Sequence, residues 1–133
     1  MDREIVEQKL ESLRRCLQRL EDKCPSSPEI LAGDLDLQDI IALNLSRAVQ
    51  ISVDIGAHLI AGMNVPPPGT MGQTFDLLAL EGLLGNEIVT NLKKAVGFRN
   101  IAVHNYERIN WFIVHSIVKY HRADFVHFAN DGN

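Results

Sequence analysis

Cysteine is nearly missing from this sequence. Cys16 and Cys24 stand alone among 133 residues, with no metal-type spacing between them. That excludes a disulfide framework and a cysteine zinc site, and leaves a reduced, cytoplasmic setting as the plain expectation. Positive charge is also scarce: 13 Lys and Arg against 17 Asp and Glu leave a net charge of −4. A protein that coats nucleic acid is thereby excluded, and any RNA contact is confined to a local patch. No apolar run approaches the ~18 residues of a membrane span, and the opening Met1-Asp2-Arg3-Glu4 has no apolar signal region. His115, His121 and His127 lack a ligand spacing such as H-E-x-x-H, so they are assigned to packing or to the surface. No metal and no cofactor is implied. What is present is an ordinary globular composition, 46% hydrophobic and 23% charged, in a chain whose length fits a single domain over residues 1–133.

Helical periodicity accounts for nearly all of it. From residue 2 to about 22, Val6, Leu10, Leu13, Leu17 and Leu20 recur at steps of four and three, an amphipathic helix laid on a bundle. Pro25 and Pro28 end it, and a short helical turn at 28–31 follows. A second helix is predicted over about 37–63, with Ile41, Leu45, Ala48, Ile55 and Leu59 on its buried row. Asn44, Arg47, Asp54 and His58 share a different arc. This polar lane reads either as an internal ion-pair ladder or as the lining of a cleft in which Asp54 orients an imidazole and His58 meets substrate phosphate. The prolines of 64–69 make a stiff linker. Thr70-Met71-Gly72-Gln73 has the form of a capping box and opens a short helix carrying Phe75, Leu78 and Leu83. A fourth helix is predicted over about 86–103, with Lys93 and Lys94 on its flank. With Arg99 and Arg108 these lysines form a candidate positive patch for RNA backbone. The last helix starts at Asn110, a good N-cap, and is apolar around much of its girth, as a helix is in the middle of a bundle or against another subunit.

Chemistry concentrates in Val96-Gly97-Phe98-Arg99-Asn100-Ile101-Ala102-Val103-His104-Asn105-Tyr106. Guanidinium stays charged and its fork matches two phosphate oxygens. A neutral imidazole takes a proton from a hydroxyl near pH 7. Arg99 and His104 are thus two of the parts that metal-free phosphodiester cleavage needs, although an ion pair or a helix cap uses the same residue types. Five residues turn about 140° around an α-helix. Either the helix ends between Arg99 and His104, or the two meet through a second copy of the chain.

Arg99-Asn100-x-x-x-His104-x-Tyr106 resembles the R-x4-6-H-x-Y signature of the HEPN superfamily, specifically of the HepT-like toxins encoded beside minimal nucleotidyltransferase (MNT) antitoxins. The likeness extends to chain size, helix order, the Asp54-Ile55-x-x-His58-Leu59-Ile60-Ala61 stretch and the Val96-Gly97-Phe98-Arg99-Asn100 lead-in. It implies an all-α, up-and-down bundle of four to five main helices that forms a two-fold dimer. It implies the toxin of a type VII-like toxin–antitoxin pair, a metal-independent endoribonuclease acting on RNA, whether tRNA or mRNA. Arg99 and His104 are then the catalytic pair, with Asn100, Asp54 and His58 in support. Tyr106 is the residue to which the MNT-type nucleotidyltransferase antitoxin transfers AMP. A rival reading makes the chain a non-catalytic helical partner of such a nucleotidyltransferase. A metal-dependent hydrolase is disfavoured by the want of a ligand cluster.

Overall fold

The computed structural model describes residues 3–131. Among these residues the fold is helical throughout. Four long helices, α1 (Arg3–Lys23), α3 (Leu35–Ala61), α5 (Asn86–His104) and α6 (Trp111–Asp131), are joined by a five-residue α2 (Pro28–Ala32), a ten-residue α4 (Met71–Leu80) and one 3₁₀ turn (Tyr106–Arg108).

Local chemistry sets the helix ends. The Asp34 carboxylate accepts from the Leu37 amide at 3.0 Å, so α3 begins at Leu35, earlier than its apolar row alone indicates. At Thr70 the cap forms as expected, the hydroxyl accepting from the Gln73 amide at 3.2 Å, but Gln73 Oε1 reaches one residue past the cap and accepts from the Gly69 amide at 2.7 Å, a variant of the expected capping box. Asn110 Oδ1 accepts from the amides of Phe112 and Ile113 at 3.0 and 3.3 Å and opens α6.

One core runs through the bundle. Leu10, Leu13 and Leu20 of α1 meet Ile41, Leu45 and Ile55 of α3, with Phe75 and Leu78 of α4, Leu92 of α5 and Phe125 and Phe128 of α6 closing it. The rings of Phe75 and Phe128 pack edge to face, 5.8 Å between centroids. Helix α3 has the length and composition to cross a membrane, with a mean hydropathy of 1.2 over its most apolar window. Half of that window is buried inside the bundle, which accounts for its apolar character.

His115 is a packing residue, as expected: it is buried and its Nε2 lies 2.7 Å from the Pro25 carbonyl, tying α6 to the α1–α2 loop. His121 and His127 lie outside the described side chains. Helix α6 divides into two faces. Val114, Ile117 and Val118 are buried, whereas Phe112, Ile113 and Tyr120 stand in solvent.

Candidate active site

Helix α5 carries Arg99 through His104 without a break. It continues to His104, where the Asn105 amide closes on the Ile101 carbonyl at 2.7 Å and the backbone of Asn105 leaves helical geometry. Of the two arrangements open for Arg99 and His104, the one in which the helix ends between them is therefore absent. The side chains leave one continuous helix about 140° apart.

Each has a distinct environment. Arg99 extends the row of Ile88, Leu92 and Ala95 and is half-buried, with no hydrogen bond or ion pair to another described residue. A partly buried guanidinium without a carboxylate has hydrogen-bonding capacity left over for an anion. His104 is exposed at the last position of α5. Asn100 is also exposed and lies one turn before His104, so it shares a face with the imidazole and not with Arg99.

Tyr106 opens the 3₁₀ turn. Its hydroxyl donates to Asp39 Oδ1 at 2.9 Å, and its ring meets Trp111 at 5.8 Å between centroids. Burial first, then the hydrogen bond and the negative charge of Asp39, push the phenol up to about 12. At neutral pH it is a protonated phenol whose proton points at a carboxylate. Asp39 carries no signal of its own in the sequence; it lies 67 positions from Tyr106, and no local pattern joins them.

The polar lane of α3 does not act as a unit. Asp54 is drawn to α1, where Lys9 Nζ lies 3.3 Å from Oδ2, and it also accepts from Gln50 at 3.0 Å. Neither an Arg47–Asp54 nor an Asp54–His58 pair forms, so the ladder is replaced by a bridge between helices. Asn44 turns back onto the Ile40 carbonyl of its own helix at 2.8 Å. His58 is half-buried. The structure thus brings Tyr106 to Asp39 and leaves Asp54 and His58 away from any described bond to His104. The positive patch is also smaller than expected. Lys93 is committed to Asp76 of α4 at 3.1 Å, while Lys94 and Arg108 line an apolar groove of 280 Å³ with Gly97, Phe98, Ile101 and Ile113. Among the described residues no group of three or more His, Cys, Asp or Glu side chains gathers as a metal would require.

Comparison with known proteins shows the family. The family model described as "Ribonuclease HepT-like" matches residues 6–131. An mRNA nuclease HepT from Shewanella oneidensis is 34% identical over 127 residues, covering 96% of this chain and 95% of that protein. Among solved structures, a tri-AMPylated HEPN toxin of S. oneidensis in complex with MNT antitoxin is 34% identical and superposes with a TM-score of 0.88, covering 98% of this chain and 97% of that one. A toxin–antitoxin structure with AMP-PNP is 32% identical, covers all of both chains and also gives a TM-score of 0.88. YutE of Bacillus subtilis, 18% identical with a TM-score of 0.83 over 98% of this chain and 87% of its own, shares the fold. Matched by that family model over nearly its whole length, this chain belongs to the HepT-like ribonucleases of the HEPN superfamily.

Proposed function

We propose that this protein is the toxin of a HEPN/MNT pair, a cytoplasmic endoribonuclease that cleaves RNA without a metal ion. The observation that carries the reading is the divergence of Arg99 and His104 on one unbroken helix, beside an apolar groove between α5 and α6 that a second copy would cover. A two-fold dimer sets the half-buried guanidinium of one copy against the exposed imidazole of the other. Ile101 of α5 and Ile113 of α6, both exposed and lining one apolar groove, supply its apolar contact.

In that site His104 takes the proton from a ribose 2′-hydroxyl. The resulting alkoxide attacks the adjacent phosphorus, the bond to the 5′-oxygen breaks and that oxygen takes a proton from water, and the His104 imidazolium returns its proton to solvent, so the products are a 2′,3′-cyclic phosphate and a 5′-hydroxyl end. Arg99 holds the charge that builds on the non-bridging oxygens, worth roughly 3 kcal/mol by analogy with comparable donors. Asn100, one turn from the imidazole, orients it. DNA, lacking the 2′-hydroxyl, is not cut.

Tyr106 is the proposed site of AMP transfer by the antitoxin. It is 40% exposed, two residues beyond His104. Modification removes the proton that Asp39 accepts and places a phosphate next to that carboxylate. Like charges repel, so the nucleotide is driven from Asp39 toward the cleft, where it blocks RNA and opposes its phosphates. Asp54, expected beside the imidazole, serves this reading instead by fastening α3 to α1.

The test is cleavage of RNA by protein free of AMP, with and without EDTA, beside His104→Ala. Cleavage that survives chelation and disappears in the variant is expected. No cleavage by any unmodified preparation would leave the chain as a non-catalytic partner of a nucleotidyltransferase.

A further inference from the structure

Away from Arg99 and His104, the α1–α3 face holds a 610 Å³ groove whose charged lining is of one sign. Arg15 and Arg19 come from α1 and Arg47 from α3, joined by Ser12 and Asn44, and among the described residues no carboxylate lines it. All three arginines are exposed, and none is in an ion pair with a described residue. Arg15 bonds only the Ser12 hydroxyl, at 3.3 Å. The guanidinium groups of Arg47 and Arg15 both act on the thiol of Cys16, which also lines the groove, so charges from two helices face the same space. In a chain with 17 acidic residues this is not forced by composition. Carboxylates stand close by on the same helices, yet Glu11 pairs with Arg14, Asp54 with Lys9, and Asp39 with Tyr106. Three guanidinium groups left together repel one another, and an anion bound among them relieves the repulsion.

The groove has a fixed relation to the modification site. Ile40, part of its lining, follows Asp39, the residue that holds Tyr106. Arg47 lies two turns further along α3, about 12 Å of helix axis. A strand passing His104 and Tyr106 would come next to the arginines. Three cations drawn from two helices and spread along a groove match a chain of phosphates better than a single one.

We propose that the Arg15–Arg19–Arg47 groove holds the sugar–phosphate backbone of the RNA substrate beyond the cleavage site, contributing affinity without base choice. This rests on the ribonuclease reading. The arginines touch no reacting atom, so their contribution is to binding.

The test is fluorescence anisotropy with a labelled 2′-O-methyl RNA dodecamer, which cannot be cut by its own hydroxyl, over a salt series in EDTA. The proteins are wild type, the triple variant Arg15→Ala/Arg19→Ala/Arg47→Ala, and Arg14→Ala. Arg14 lies on the same helix and is exposed, but it is paired with Glu11 outside the groove. The triple variant is expected to bind about tenfold or more weakly. Its slope of log affinity against log salt should fall by about 2, near 0.7 for each single-strand phosphate that is no longer neutralised. Arg14→Ala should match wild type, and the Arg→Lys triple should recover most of the slope, which also separates lost charge from lost folding. Triple-variant binding equal to that of Arg14→Ala overturns the groove and leaves the ribonuclease reading standing. Wild type that neither binds nor cuts RNA overturns both. A triple variant that keeps its RNA affinity but loses co-elution with the nucleotidyltransferase assigns the groove to that protein and overturns the proposal.

Discussion

If the active site is assembled across a two-fold axis from Arg99 of one copy and His104 of the other, two inactive variants should restore each other. Helix α5 runs unbroken from Asn86 to His104, so within one chain the two side chains point about 140° apart. Arg99→Ala alone removes an electrostatic contribution of roughly 3 kcal/mol, or about 10²-fold in rate. His104→Ala removes the general base, a loss of roughly 10²- to 10⁴-fold. In a mixed dimer of the two, one site inherits both defects, while the other joins the intact Arg99 of the His104→Ala chain to the intact His104 of the Arg99→Ala chain. A dimer purified through two different tags should therefore cleave RNA at about half the wild-type rate, and an equilibrated equal mixture at about a quarter. The assay is initial rate on a fluorogenic RNA, against each variant alone. A mixed dimer no faster than the mean of its parents would show that Arg99 and His104 act within one chain, and would remove the need for the dimer.

Two further outcomes follow from the same geometry. A Cβ on Gly56 would lie 2.6 Å from Thr74 Cγ2 and 3.2 Å from Leu78 Cδ1, both on fully buried side chains of α4. Overpacking at roughly 1–3 kcal/mol outweighs the helix-propensity gain of about 1 kcal/mol, so Gly56→Ala should lose about 1 kcal/mol in urea unfolding. Thr74→Ser, which deletes that methyl, should recover much of the loss; additive losses in the double variant would place the strain elsewhere. In a Tyr120→Phe background, phenolate absorbance should report Tyr106 ionising near 12, and Asp39→Asn should lower that midpoint. Because the folded value lies above the unfolded value of about 10, the Tyr106–Asp39 bond contributes its full stability below pH ~10 and loses it as pH rises through about 12. A midpoint unmoved by Asp39→Asn would show that burial alone sets it.

The helices were legible because their signals are local. Thr70 and Asn110 are capping residues whose partners lie two or three positions on, and the apolar rows of α1 and α3 name their own buried faces. The motif of α5 was legible for the same reason, as was the ambiguity in its spacing. What one sequence leaves open is pairing between distant segments. Lys9 reaches Asp54 across 45 positions, Lys93 reaches Asp76 across 17, and Tyr106 reaches Asp39 across 67. Each of these charged residues fits a solvated helix face equally well until its neighbour is known. The polar lane of α3 looked continuous because 3.6-residue periodicity aligns it, and it broke up because α1 supplied Lys9 as a better partner for Asp54. The Arg15, Arg19 and Arg47 groove was hidden in the same way, as its members are ordinary surface charges until α1 is laid against α3. The 3₁₀ turn at Tyr106 escaped notice because three residues carry no period to detect.

The central claim is that the substrate's own 2′-hydroxyl is the nucleophile and that His104 takes its proton. The most direct measurement maps the cut in a defined RNA, then replaces the one ribose 5′ of the scissile phosphate by 2′-deoxyribose, with EDTA present throughout. Cleavage should stop at that bond alone, continue at other sites, and leave a 2′,3′-cyclic phosphate wherever it occurs. Cutting at the deoxy position at an undiminished rate, or activity that returns only when a divalent cation is supplied, would contradict the claim.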